Sequence, residues 1–137
     1  MWWMYALLSA VFASLTAIFA KIGVKNIDSD LATAVRTTVI MILVWSIVTV
    51  KGTLPTIHNF SRNTWLFLIL SGIATGLSWL FYFKAIQLGK LSAVAPIDKL
   101  SVALTIIFSI IFLGESISLK SGIGVGLIIA GVLILLF

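Results

Sequence analysis

Three charged residues stand inside apolar runs of this chain, and chemistry is to be sought there first. Arg36 interrupts the run 31–50, while Asp98 and Lys99 follow Pro96 near the start of Ser92–Leu113, SAVAPIDKLSVALTIIFSIIFL. Both runs are long enough to cross a bilayer. A charge at the centre of a membrane helix costs about 3 kcal/mol on insertion scales, so such residues face a partner or a water-filled cavity. Two cations and a carboxylate at that depth can attract an anionic solute, and the acid can carry a proton. Hydroxyls extend the pattern. Ser101, Thr105 and Ser109 follow Asp98 at steps of three, four and four, which places them on one helical face beneath the carboxylate. Ser71, Thr75, Ser78 and Tyr82, at steps of four, three and four, form a second single-face stripe. Arg36 lies six residues past Asp30, and Asp98 six past Ser92. At 1.5 Å per residue both reach roughly 9 Å along their helices. An Arg36–Asp98 pair is therefore geometrically sensible, and the groups together predict a hydrated pocket lined by both stripes.

The same residues have a plainer reading. Pro96 is favoured at a first helical position, so the fourth span can begin there. Asp98 is then a first-turn carboxylate facing the positive helix end, and Lys99 and Arg36 snorkel to headgroups. Serine and threonine in membrane helices often bond their own preceding carbonyls.

The elements that must position these groups are membrane helices. The 137 residues are 61% hydrophobic and 9% charged, against roughly 25% charged in a soluble domain. Mean hydropathy is +1.25. The fold class expected is an all-α integral membrane protein, one domain over 1–137, with spans near 2–20, 31–50, 64–83, 92–113 and 121–137, each close to the ~20 residues a bilayer requires. The first lacks a basic leader and reads as a retained helix rather than a cleaved signal. Asp28, Ser29 and Asp30 offer caps before the second span, and Ser61 or Asn63 before the third. There is no cysteine, and the one histidine, His58, lies in a polar loop. The net charge of +5 is scattered singly, which fits lipid headgroups rather than nucleic acid. Trp2, Trp3, Trp45 and Trp65 fall toward one membrane face, and Trp79 and Tyr82 toward the other, with Trp79 deepest.

Five spans put the chain ends on opposite sides. Lys51, Arg62 and Lys120 then mark the N-terminal face, and Lys21, Lys25, Lys84 and Lys90 the other. Such balance permits insertion both ways, because orientation follows a basic excess on the cytoplasmic side. Gly72 and Gly76 form a GxxxG in the third span. Gly122 and Gly126 form another in the fifth, followed by Gly131. Glycine at this spacing lets helix backbones approach closely in lipid.

SGIATGLSWLFYFKAIQLG, SAVAPIDKLSVALTIIFSIIFLGE and GIGVGLIIAGVLIL resemble the second half of an EamA-type repeat of the drug/metabolite transporter superfamily. LTAIFAKIGVKNID followed by LATAVRTTV resembles that repeat's first two helices. Family members typically carry two such repeats in opposite orientations around a central cavity, and this chain resembles one. The resemblance implies an antiparallel (dual-topology) homodimer in the plasma membrane, paired through Gly122, Gly126 and Gly131. It also implies a pathway at Arg36, Trp79, Tyr82, Asp98 and Lys99, with Ser71, Thr75, Ser78, Ser101 and Thr105 beside it. The small multidrug transporters carry a buried glutamate in their first helix; this chain has Ser9, Ser14 and Thr16 there, which leaves Asp98 as the intramembrane acid. The function expected is transport of small polar or amphipathic metabolites by alternating access. The rival readings are a non-transporting partner subunit and half of a heterodimeric flippase for lipid-linked substrates. No nucleophile–base pair, metal-ligand cluster or phosphate-binding loop stands in the sequence, so neither catalysis nor a cofactor is expected.

Overall fold

Helix ends show why this sequence folds as it does. The Asp28 carboxylate accepts the N–H groups of Asp30 and Leu31, each at 3.0 Å, and caps a helix that starts at Ser29. Ser61 Oγ accepts the Thr64 N–H at 3.1 Å, and Ser118 Oγ accepts that of Ser121 at the same distance. Each contact satisfies a first-turn donor with no partner inside its own helix. The computed structural model describes residues 1–136. It contains α1 (Trp2–Gly23), α2 (Ser29–Val50), a 3-10 turn (Leu54–Asn59), α3 (Arg62–Leu88), α4 (Leu91–Asp98), α5 (Leu100–Leu113) and α6 (Leu119–Leu136). With α4 and α5 counted together as Leu91–Leu113, five segments are long and apolar enough to cross a membrane. Phe137, the last position of the expected fifth span, lies outside the described residues.

The fourth span departs from the plainer reading of the sequence. It does not begin at Pro96. Helix starts at Leu91, with the N–H groups of Ala93 and Val94 both donating to the Lys90 carbonyl at 3.0 Å. Pro96 lies inside α4, where it has no N–H to give to the Ser92 carbonyl. Asp98 is thus the last residue of α4 rather than a first-turn carboxylate. Lys99 N–H donates to the Pro96 carbonyl and Val102 N–H to that of Lys99, each at 3.0 Å. These bonds span three residues rather than four, a 3-10 tightening that separates α4 from α5 at Lys99. At the far end Gly114 takes the left-handed conformation at φ 65°. Its N–H donates to the Ile110 carbonyl at 3.2 Å and that of Glu115 to Ser109 at 3.3 Å, which closes α5.

The chain divides into two compact units, residues 18–87 and residues 1–17 with those from 88 onward. In the first, Ala20, Val24, Phe83 and Ile86 are buried together with Ser29 and Thr33. Polar ties join the same end. Lys21 Nζ donates to the Ile86 carbonyl, and Gln87 Nε2 donates to the carbonyls of Val24 at 3.1 Å and Ile27 at 2.7 Å. The turn between α1 and α2 is therefore held to the last turn of α3. In the other unit α6 packs against α4 and α5, with Ala103 and Val132 buried. Most large apolar side chains elsewhere are exposed, as a lipid-facing surface requires, because lipid tails are as apolar as leucine.

Gln87→Leu leaves two turn carbonyls without their donor. It should cost about 1–3 kcal/mol, read as a lower melting temperature of the purified protein in detergent. The exposed control Lys25→Ala should stay within about 0.5 kcal/mol of the parent.

Candidate functional site

Arg36 projects from α2 toward α3. Trp79 and Phe83 are four residues apart on α3 and share a face. The guanidinium carbon lies 4.2 Å from the centre of the Trp79 ring and 5.3 Å from that of Phe83. Tyr82 is within electrostatic reach of the same group. Phe83 is 3% exposed, whereas Arg36, Trp79 and Tyr82 are half-buried. Arg36 Nη1 is buried and has no hydrogen-bond partner among the described residues. The neighbouring threonines spend their hydrogens on their own helix: Thr33 donates to the Ser29 carbonyl at 2.9 Å and Thr37 to that of Thr33 at 2.8 Å.

The energetics of this cluster are uneven. Aromatic faces attract the cation by about 0.5–2 kcal/mol, the upper figure applying away from water. They do not satisfy the N–H groups lying in the guanidinium plane. A buried donor left unmade costs about 1–3 kcal/mol, more when it is charged. The site is thus stabilised in charge and incomplete in hydrogen bonding.

Of the residues singled out from sequence, the structure brings Arg36, Trp79 and Tyr82 together. Thr75 donates to the Ser71 carbonyl at 2.8 Å, and Ser71 and Ser78 are exposed on α3. In the other unit Asp98 pairs with its neighbour Lys99 at 3.5 Å, with both side chains well exposed. Thr105 donates to the Ser101 carbonyl at 2.7 Å and Ser109 to that of Ile106 at 2.9 Å. Lys99 borders an apolar cleft of about 440 Å3 lined also by Pro96, Leu127, Gly131 and Leu135. A Cβ built at Gly122, Gly126 or Gly131 would meet nothing within 4 Å among the described residues. Sequence reasoning missed Phe83, whose signal was its spacing of four from Trp79. It also missed Lys21 and Gln87, read only as a loop charge and a connecting residue.

Five helices long and apolar enough to cross a membrane, one of them carrying a guanidinium set against aromatic rings, define a multi-pass membrane protein. Residues 1–137 match the EamA-like transporter family, and the chain belongs to it. It is 51% identical over 134 residues to a Sinorhizobium sp protein named an uncharacterized transporter in the cobO 3' region; that match covers 98% of this chain and 95% of the relative. It is 30% identical over 129 residues to an uncharacterized protein of Methanocaldococcus jannaschii, covering 94% of this chain and 91% of that one. No solved structure matches the chain.

Because Nη1 is orphaned, Arg36→Met should leave the melting temperature in detergent unchanged or raise it, removing an incompletely bonded charge. A loss of more than about 2 kcal/mol would instead mark Arg36 as a structural tie.

Proposed function

We propose that the protein is a transporter of small polar or amphipathic metabolites, working by alternating access in the plasma membrane as two copies of opposite orientation. The observation that carries this reading is the Arg36 cluster: a charge inside a membrane-crossing helix, faced by rings, with an unspent donor. Intramembrane charges mark solute and ion pathways because their cost is otherwise unrecovered. The break in the fourth span adds support, since discontinuous helices form the solute and ion sites of many transporters. Asp98 and Lys99 sit at that break.

Arg36, Trp79 and Tyr82, together with Asp98 and Lys99, contact the solute in this reading. Ser71, Thr75, Ser78, Ser101 and Thr105 lie along its path. Pairing is supported by three features. Basic residues are nearly balanced between the two faces. The relatives align over nearly their whole length, so each is about the size of this chain. Gly122 and Gly126, about one turn apart on α6, leave room for another backbone, and Gly131 is open as well on another face of the helix. Transport is favoured over catalysis by the family itself.

The natural chain has no cysteine, so single cysteines at its two ends can be labelled in intact cells with a membrane-impermeant maleimide. Both ends should react within one population, and proteoliposomes of the purified protein should take up at least one member of a panel of amino acids, carboxylates and sugars faster than empty liposomes. Labelling at one end only would remove the inverted pair. Co-purification of an unlike short chain would replace it with a heterodimer, and uptake of no solute would remove the transport reading.

A further inference from the structure

Arg36 lacks a carboxylate within its own unit. Residues 18–87 hold two acids, Asp28 and Asp30. The Asp28 carboxylate is engaged as the cap of α2, and Asp30, beside Ser29 Oγ at 3.4 Å, lies six residues before Arg36. That separation is roughly 9 Å along the helix. The rings facing the guanidinium are instead those of Trp79 and Phe83, with Tyr82 beside Phe83 in sequence. Rings attract the positive charge through their faces but leave the in-plane N–H groups unbonded, as buried Nη1 shows.

We infer that this cluster is a receptor for the carboxylate of a small amphipathic monoanion, with Arg36 holding the oxygens and the rings of Trp79, Tyr82 and Phe83 seating the apolar body. The inference deepens the transport reading by naming a solute class, and it rests on that reading only for the movement of the ligand. A guanidinium edge matches two carboxylate oxygens in one plane; Nη1 is enclosed among the described residues, so a planar oxyanion completes its missing bond once the half-buried side chain turns outward to meet it. A cationic solute meets a like charge there. A neutral amide supplies one acceptor oxygen and no compensating charge. Inorganic phosphate, a mixture of monoanion and dianion at neutral pH, is tetrahedral and has no apolar body for the rings, and its dianion brings a second negative charge that one arginine leaves unpaired in an apolar setting, where desolvation is costly. The neighbouring hydroxyls of Thr33 and Thr37 already donate within α2, so they are not the groups that would coordinate a highly hydroxylated solute.

The test uses the full chain in nanodiscs, with Trp2, Trp3, Trp45 and Trp65 changed to Phe so that Trp79 alone emits. Sodium acetate, 3-methylbutyrate and benzoate are titrated beside their neutral amides and beside inorganic phosphate. The expected result is a saturable change in Trp79 emission with 3-methylbutyrate or benzoate, at least about tenfold tighter than with the matching amide or phosphate, and tighter than with acetate. Arg36→Gln should weaken that binding about tenfold to a hundredfold, the range for a hydrogen bond to a charged partner. Arg36→Lys, which keeps the charge but not the planar edge, should fall between. With the four-Phe background first shown to melt at the same temperature as the unmodified chain, equal binding of acid and amide, phosphate binding as tight as carboxylate, or no saturable signal would overturn the assignment. Tight carboxylate binding without flux would leave the receptor standing and remove the transport reading. Flux of other solutes without carboxylate discrimination would do the reverse.

Discussion

A charged group inside hydrocarbon must be compensated by something close at hand, and that constraint governs the site in this protein. Arg36 lies within a helix long and apolar enough to cross a membrane, and it draws on what α3 presents. Trp79 and Phe83, one helical turn apart, present a quadrupole to the cation. Their compensation is partial in a definite sense: it acts on charge and leaves hydrogen bonding unfulfilled. Leucines in their place would leave the charge more costly, whereas a carboxylate would complete its bonding and close the site to a ligand. Aromatic residues lie between those extremes: they ease the charge and leave Nη1 without a hydrogen-bond partner among the described residues.

The same scarcity of partners explains the rest of unit 18–87. Helix-terminal carbonyls lack intrahelical donors, and in a membrane protein they need them from side chains. Lys21 supplies one to Ile86, and Gln87 supplies two across the turn following α1. Around these bonds Val24, Ile86 and Ser29 are almost wholly buried. The cluster at Arg36 therefore stands on a segment anchored at one end by both packing and polar ties. Unit two contrasts with it. There Pro96 and the 3-10 step at Lys99 interrupt the ladder, and the charged pair sits at the interruption. One unit concentrates side-chain ties to turn carbonyls, while the other carries a break in its helical ladder.

Much of this was legible in the residues. The crossing segments follow from apolar length, which is a composition property and needs no tertiary information. Asp28 and Ser61 act as caps because a short polar side chain ahead of an apolar run has few better uses. Arg36, Trp79 and Tyr82 were each conspicuous, but their meeting was not. Spacing within a helix fixes which residues share a face, and it does not say which faces oppose each other. Phe83 was hidden for a related reason: one more phenylalanine in SWLFYFKAI carries no signal until Arg36 is known to lie above it. The start of the fourth span was ambiguous because Pro96 suits a first turn as well as a tolerated interior position. The backbone bonds from Ala93 and Val94 to Lys90 decide between them.

The hydroxyl stripes sharpen what the site can recognise. Thr75 and Thr105 give their hydrogens to carbonyls four residues back, as Thr37 and Thr38 do on α2. A hydroxyl bound in this way has spent its donor on its own helix and meets a solute only as an acceptor. Selectivity then falls to the few groups that are not so committed, and among them the buried guanidinium nitrogen has most to gain from a partner. Under the proposed carboxylate reading, one under-bonded cation and a set of rings would discriminate by charge sign and apolar contact, which is selectivity for a class of compounds rather than for one molecule.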